Sequence, residues 1–206
     1  MFIDRYLVTA EAYQVPAGII LNKWDIYNDD EKEKAAEWKE LYNNAGYPFI
    51  ITSAETGQGI EELRNSLKGK LSVLSGNSGV GKSTLLNRLD PSLALKTDTI
   101  SEVHKAGKHT TTFSVMLDVK GGGRVIDTPG ISGFGTVDIE KSELYHFFPE
   151  IFKYSAGCQF HNCTHYHEPG CAVQAAVVNG HISEMRYSNY LAMFEEEPGK
   201  YRQTSW

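Results

Sequence analysis

Leu71-Ser72-Val73-Leu74-Ser75-Gly76-Asn77-Ser78-Gly79-Val80-Gly81-Lys82-Ser83-Thr84-Leu85-Leu86-Asn87 decides the fold. A short apolar run ends in Gly76-x-x-x-x-Gly81-Lys82-Ser83, and an amphipathic run follows with no breaker between them. That order of strand, loop and helix predicts an α/β protein with a phosphate-binding loop. Gly76, Asn77, Ser78, Gly79, Val80, Gly81, Lys82, Ser83 and Thr84 are the candidates to line it. The glycines let successive backbone N-H groups turn inward, and the helix directs its positive end at the same point. Lys82 would neutralise the outer phosphates and Ser83 would ligate Mg2+. A glycine-rich turn without a ligand does not account for a lysine beside a serine at the head of a helix.

Upstream, the chain opens with Ile3, Tyr6, Leu7, Ala10 and Tyr13 at helical spacing, and Pro16 stops that helix. A short strand at 17–21 then delivers Asn22-Lys23-Trp24-Asp25 at its carboxyl end, where open α/β sheets bind ligands. Asp25 can accept from guanine N1-H and the exocyclic amine, a pair that adenine does not offer, so the element selects GTP over ATP. Asn22 and Lys23 would tie this loop to the phosphate loop. Asn28 or Asp29 caps the next helix, whose apolar face is Ala35, Trp38, Leu41 and Tyr42. A second strand at 48–52 ends in Ser53-Ala54-Glu55-Thr56-Gly57, where a backbone N-H can reach guanine O6, and a helix with Ile60, Leu63 and Leu67 leads to the phosphate-loop strand. Alone, Asn-Lys-x-Asp is more often a polar turn; the strand before it and Ser53-Ala54 after the next strand make it a guanine element.

Downstream, the residues from Lys96 to Thr112 show no periodicity and hold Lys96, His104, Lys105, Lys108 and His109, a basic patch or a solvated loop. Thr110, Thr111 and Thr112 close this segment where a hydroxyl is needed on Mg2+, and the sequence does not choose among them. Phe113 to Val119 alternate as a half-exposed strand, Gly121-Gly122-Gly123 turns, and Arg124-Val125-Ile126 returns into Asp127-Thr128-Pro129-Gly130. Asp127 is expected to hold Mg2+ through water, and the Gly130 N-H to sense the γ-phosphate. Beyond about Gly135 the strand signals end and helical segments surround a Cys/His cluster.

Composition narrows the classes. The chain has 206 residues, 41% of them apolar, enough for one α/β domain and a small appendage. A formal charge of -6 argues against a free-standing nonspecific nucleic-acid binder. No basic start leads into an apolar core of a secretory signal, and no run of about 18 apolar residues occurs, so neither export nor a membrane span is expected. All three cysteines fall between Cys158 and Cys171, which fits a metal site in a reducing cytoplasm better than disulfides. Three thiolates and one imidazole complete a closed tetrahedral structural site; His161, His165 and His167 are all near enough to supply the imidazole.

Motif order carries the next step. Ordinary small GTPases present the phosphate loop, Thr, Asp-x-x-Gly, Asn-Lys-x-Asp and Ser-Ala in that sequence, whereas here the two guanine elements come first. With this circular permutation, Gly107-Lys108-His109-Thr110-Thr111-Thr112 and Cys158-x4-Cys163-x-His165-x5-Cys171, nearly the whole chain resembles the bacterial small-ribosomal-subunit-dependent GTPase A (RsgA or YjeQ) family. The resemblance implies a circularly permuted P-loop GTPase domain over 1–135, with guanine motifs at 22–25 and 53–57, phosphate loop 76–83, a switch at about 96–112 and Asp-x-x-Gly at 127–130. A small, mainly helical zinc-binding domain over 136–206 follows, with His165 as the imidazole beside Cys158, Cys163 and Cys171.

The implied function is GTP hydrolysis in late maturation of the 30S subunit, stimulated by the subunit, by a cytoplasmic monomer. Its partners would be GTP or GDP with magnesium, one structural zinc, the 30S subunit and 16S rRNA. Ile131 stands where a water-orienting Gln is common, so intrinsic turnover should be slow; His109 is the resemblance's candidate for that role, or else an RNA-facing base. Family members carry an OB-fold before the GTPase domain and a strand before the first helix, neither found in these residues. A fragment is therefore expected, with a gap in its sheet beside the phosphate-loop strand, and the acidic Glu195-Glu196-Glu197 argues against autonomous RNA binding. Two alternatives compete with the GTPase: a zinc-stabilised ribosome- or rRNA-binding piece with little hydrolysis, and a P-loop ATPase, against which Asp25 argues.

Overall fold

The computed structural model describes residues 1–95, 115–127 and 139–196. Chain contacts divide it into two compact units, Gly18–Glu40 with Phe49–Ser132, and Met1–Ala17 with Leu41–Pro48 and Gly133–Trp206.

In the first unit each strand is short and each helix follows a strand, as the alternating pattern predicts. β1 (Ile19–Leu21) pairs in parallel with β2 (Phe49–Ile51), in the register Ile19 to Phe49. α2 (Asp29–Asn44), which starts between them, opens on a reciprocal cap: Asn28 Oδ1 accepts from Glu31 N-H, and a Glu31 carboxylate oxygen accepts from Asn28 N-H, both at 2.9 Å. Asn28, rather than Asp29, is therefore the capping residue. α3 (Ile60–Leu67) leads to β3 (Leu71–Leu74), and α4 (Lys82–Leu89) follows the phosphate loop. The hairpin of β4 (Val115–Val119) and β5 (Gly123–Asp127) completes a second sheet in the order β3-β5-β4, with β3 parallel and β4 antiparallel to β5. Ile50, Leu63, Leu85, Leu86, Leu89 and Val125 lie in the buried core of this unit.

Among the described residues no strand joins β1 to β3, so one compact unit holds two separate sheets. This is the gap expected beside the phosphate-loop strand. On β3, Leu71 and Val73, which share one face, are 55% and 60% exposed although such strands are normally buried on both faces. The end of the unit away from the loop is closed by polar groups. Arg64 donates to the carbonyls of Leu89 and Lys120, each at 2.8 Å, and buried Asp90 accepts from the N-H groups of Lys120 at 2.8 Å and Ser92 at 3.0 Å.

The second unit contains α1 (Phe2–Ala12), α5 (Pro149–Ser155), α6 (Ala172–Val178) and α7 (Glu184–Glu195) around Val8, Phe148, Ile151, Val173, Ile182 and Tyr190. The linear division at residue 135 therefore places α1 differently from the contacts. The reason is a buried ion network that helical spacing of apolar residues does not reveal. Asp4 and Arg186 are both almost fully buried; Arg186 donates to Asp4 at 2.6 Å and to Glu150 at 2.6 and 3.1 Å, and Asn189 donates to the other Asp4 oxygen. The guanidinium lies 4.7 Å from the Phe148 ring centre and 5.6 Å from that of Tyr47. α1 thus buries Asp4, Arg5, Leu7 and Val8, while Tyr13, read as part of its apolar face, is exposed. Part of the acidic end is structural as well: Glu196 pairs with Arg5 and Glu195 accepts from the Tyr166 hydroxyl. No helix among the described residues is long and apolar enough to cross a membrane.

Candidate functional site

Asn22 joins three loops with one amide. Its Oδ1 accepts from Ala54 N-H and from the Thr52 hydroxyl, both at 3.2 Å, and its Nδ2 donates to the Val80 carbonyl of the phosphate loop at 3.1 Å. The ends of β1 and β2 and the loop after β3 are therefore held in fixed relation, although no strand pairs β1 with β3. Gly81 makes the approach workable. Its φ is +94°, and a Cβ there would stand 2.5 Å from Asn22 Nδ2, so any side chain would collide with the amide. The same Cβ position is 3.8 Å from Lys23 Cε, which brings the lysine stem against the loop.

Asp25 is exposed, and one of its oxygens accepts from the Ser53 hydroxyl. Ser53 and Thr52 are fully buried, so the donor is fixed. The carboxylate is thereby oriented before any ligand arrives. The Trp24 ring packs beside Tyr27, with ring centres 5.7 Å apart, and Lys32 lies over it at 5.9 Å. Thr52, which the sequence reading missed, is identifiable only by position: it precedes Ser53-Ala54 at the end of β2.

In the phosphate loop Lys82 donates to the carbonyls of Gly76 at 2.7 Å and Asn77 at 3.1 Å. These bonds close the loop into a ring around its own ammonium; a lysine has three donors, so one remains for a ligand. Asn77, Ser78, Gly79 and Val80 form the exposed rim, Ser83 is half-buried at the helix start and Thr84 is exposed. Asp127 pairs in register with Leu74, which sets it beside the end of the phosphate-loop strand. Burial raises the Asp127 pKa above the ordinary value, opposed by the Lys82 charge, and burial likewise lowers that of Lys82, opposed by Asp127. Asp127 Oδ1 is buried with no hydrogen-bond partner among the described residues. An orphaned carboxylate oxygen at this place fits a hard cation. His109, Thr110, Thr111, Thr112 and Gly130 lie outside the described residues.

In the other unit Cys158, Cys163, His165 and Cys171 bring one donor atom each within 4.8 Å of one another. His165 Nδ1 is 3.5 Å from Cys158 Sγ and 3.6 Å from Cys171 Sγ, and those two sulfurs are 3.9 Å apart. Bond lengths of about 2.3 Å to sulfur and about 2.0–2.1 Å to nitrogen put tetrahedral donors about 3.7 Å (S to S) and about 3.5 Å (S to N) apart. The cluster therefore has the dimensions of a four-coordinate ion site. Its electrostatics agree: burial pushes the Cys163 thiol up to about 12 and raises Cys171, while burial lowers His165, so a cation is needed to hold the thiols as thiolates around a neutral imidazole.

A family model described as RsgA GTPase matches residues 1–137. The chain is 55% identical over 202 residues to the small ribosomal subunit biogenesis GTPase RsgA of Bacteroides fragilis, covering 98% of this chain and 65% of that protein. Against the protein of the same name from Porphyromonas gingivalis, identity is 50% over 200 residues, covering 96% of this chain and 64% of the relative. The chain thus spans just under two thirds of the length of these curated relatives. Among solved structures, YjeQ from Thermotoga maritima superposes with a TM-score of 0.79 at 44% identity, covering 93% of this chain and 63% of that one. YloQ, described as a circularly permuted GTPase, gives 0.75 at 33%, covering 93% and 60%.

Proposed function

The chain belongs to the RsgA GTPase family, and on that premise we propose that it binds and hydrolyses GTP as a factor in late maturation of the small ribosomal subunit, which stimulates its turnover. The observation that carries this reading is the Asn22 amide, which locks the guanine loop, the Ser53-Ala54 loop and the phosphate loop together. Asp25 reads the guanine N1-H and amine, with Lys23 and Trp24 flanking the base and the Ala54 end of β2 near O6. Gly76 to Thr84 hold the phosphates, with Lys82 as the charge that spans the β- and γ-phosphates. Magnesium is held by Ser83, by Asp127 through water, and by one of Thr110, Thr111 and Thr112. The Gly130 N-H senses the γ-phosphate, and His109 either orients the attacking water or meets RNA.

Cys158, Cys163, His165 and Cys171 hold one zinc ion, whose place is structural because four protein donors leave no open position. The chain works as a monomer in the cytoplasm, where the 30S subunit and its 16S rRNA are its partners. Phosphate release from GTP with and without 30S subunits tests the activity. In the same assay His109→Ala separates its two roles, since unchanged turnover removes it from catalysis.

One observation favours a second reading. With β1 and β3 unpaired to each other, the nucleotide loops rest on side-chain bonds and not on a continuous sheet. A zinc-stabilised piece that binds the ribosome or rRNA with little hydrolysis is the alternative; it predicts retention on 30S subunits without GTP-dependent phosphate release.

A further inference from the structure

Glu168 lies within the metal-site sequence, between His165 and Cys171, and its carboxylate is surrounded by backbone. One oxygen accepts from the Thr164 N-H at 2.9 Å and the Thr164 hydroxyl at 2.6 Å; the other accepts from the N-H groups of Tyr166 at 3.1 Å and His167 at 3.2 Å. Four donors fill the lone-pair sites of a carboxylate. Cys163 Sγ is a fifth, weaker partner, donating to the second oxygen at 3.7 Å, so Glu168 is saturated and cannot ligate an ion.

The turn wound around this carboxylate is an unusual one. His165 has φ of +61°, a left-handed conformation that costs about 1–3 kcal/mol for a residue other than glycine unless its surroundings impose it. The outward carbonyls of the same turn are held in turn: Tyr190 donates to Thr164 O at 2.6 Å, Tyr187 to His165 O at 2.6 Å, and Gln174 to Tyr166 O at 2.8 Å. Inward N-H groups thus converge on Glu168 while outward carbonyls are pinned by α6 and α7. The left-handed His165 turns Nδ1 to the sulfurs and leaves Nε2 buried without a partner among the described residues.

We propose that Glu168 is a positioning residue of the metal site: its carboxylate is the internal anion that folds the Cys163–His167 turn, imposes the left-handed His165, and so selects Nδ1 as the fourth donor. The inference rests on the metal reading of the Cys3His cluster and adds a residue outside the donor set.

The test uses the full chain with cobalt(II), whose absorption reports its ligands. Wild type is expected to take up one ion per chain with the spectrum of three thiolates and one imidazole. Glu168→Ala should weaken affinity about 10- to 100-fold in chelator competition, the range for loss of a group that orients a ligand, and its cobalt bands should change as the imidazole is lost. Glu168→Gln, of equal size, keeps one acceptor oxygen but sets an NH2 against the Tyr166 and His167 N-H groups; it should weaken affinity about tenfold. General destabilisation does not alter a ligand-field spectrum. Either variant binding within about twofold of wild type, with the wild-type bands, overturns the role of Glu168. A wild-type chain that takes up no cobalt overturns the metal reading, and this inference with it.

Discussion

Asn22 and Asp25 take a structural and a selective part in the proposed nucleotide site. Asn22 has three partners within the protein, so Asn22→Ala releases two loops at once. Asp25 has one oxygen fixed by Ser53 and is otherwise exposed, so its value appears only with ligand. Asp25→Ala should lower GTP affinity roughly a hundredfold or more, because two hydrogen bonds to a charged group are worth about 1.5–3 kcal/mol each, and should leave ATP affinity nearly unchanged. Fluorescent-nucleotide titration with both triphosphates checks this. Asp90 offers a pH test at the same scale. The Ser92 hydroxyl and the N-H groups of Lys120 and Ser92 outweigh burial and hold its carboxyl below the ordinary range. A depressed carboxyl gives stability that is fully present above the unfolded pKa and is lost as pH falls through the folded value. Melting temperature should therefore fall in acid for the wild type, and more shallowly for Asp90→Asn over the same range.

The elements were legible where local chemistry sets them and illegible where distant charges do. Gly81 before Lys82 marked the start of α4, and Asn28 or Asp29 marked that of α2 to within a residue, because caps are short-range signals; the bonds to Glu31 select Asn28. The positions of Asn22, Ser53 and Asp127 followed from strand ends, which apolar runs mark. α1 was different: its buried face includes Asp4 and Arg5, whose partners are 182 and 191 residues away in Arg186 and Glu196. Periodicity of apolar residues cannot show a face made of ions. Arg186→Ala should destabilise this unit by about 3–5 kcal/mol, since it leaves Asp4 and Glu150 as uncompensated charges; chemical unfolding followed by tyrosine signals measures it.

At the scale of the whole molecule, the family relation and the geometry both support the proposed activity. Family membership places the chain among RsgA GTPases. The geometry supplies a loop closed by Lys82, an Asp25 carboxylate oriented by Ser53 and a buried Asp127 oxygen without a partner among the described residues. Glu168 was invisible to motif reading because it is not a donor to the ion; only the turn it organises reveals it. The most direct test of the central claim is phosphate release from GTP by this chain, measured alone and with purified 30S subunits. Slow turnover alone that rises severalfold or more with subunits, and that ATP does not replace, is the predicted result. Absence of GTP-dependent phosphate release under both conditions, from a chain that still binds 30S subunits, would contradict it and leave the binding piece as the correct account.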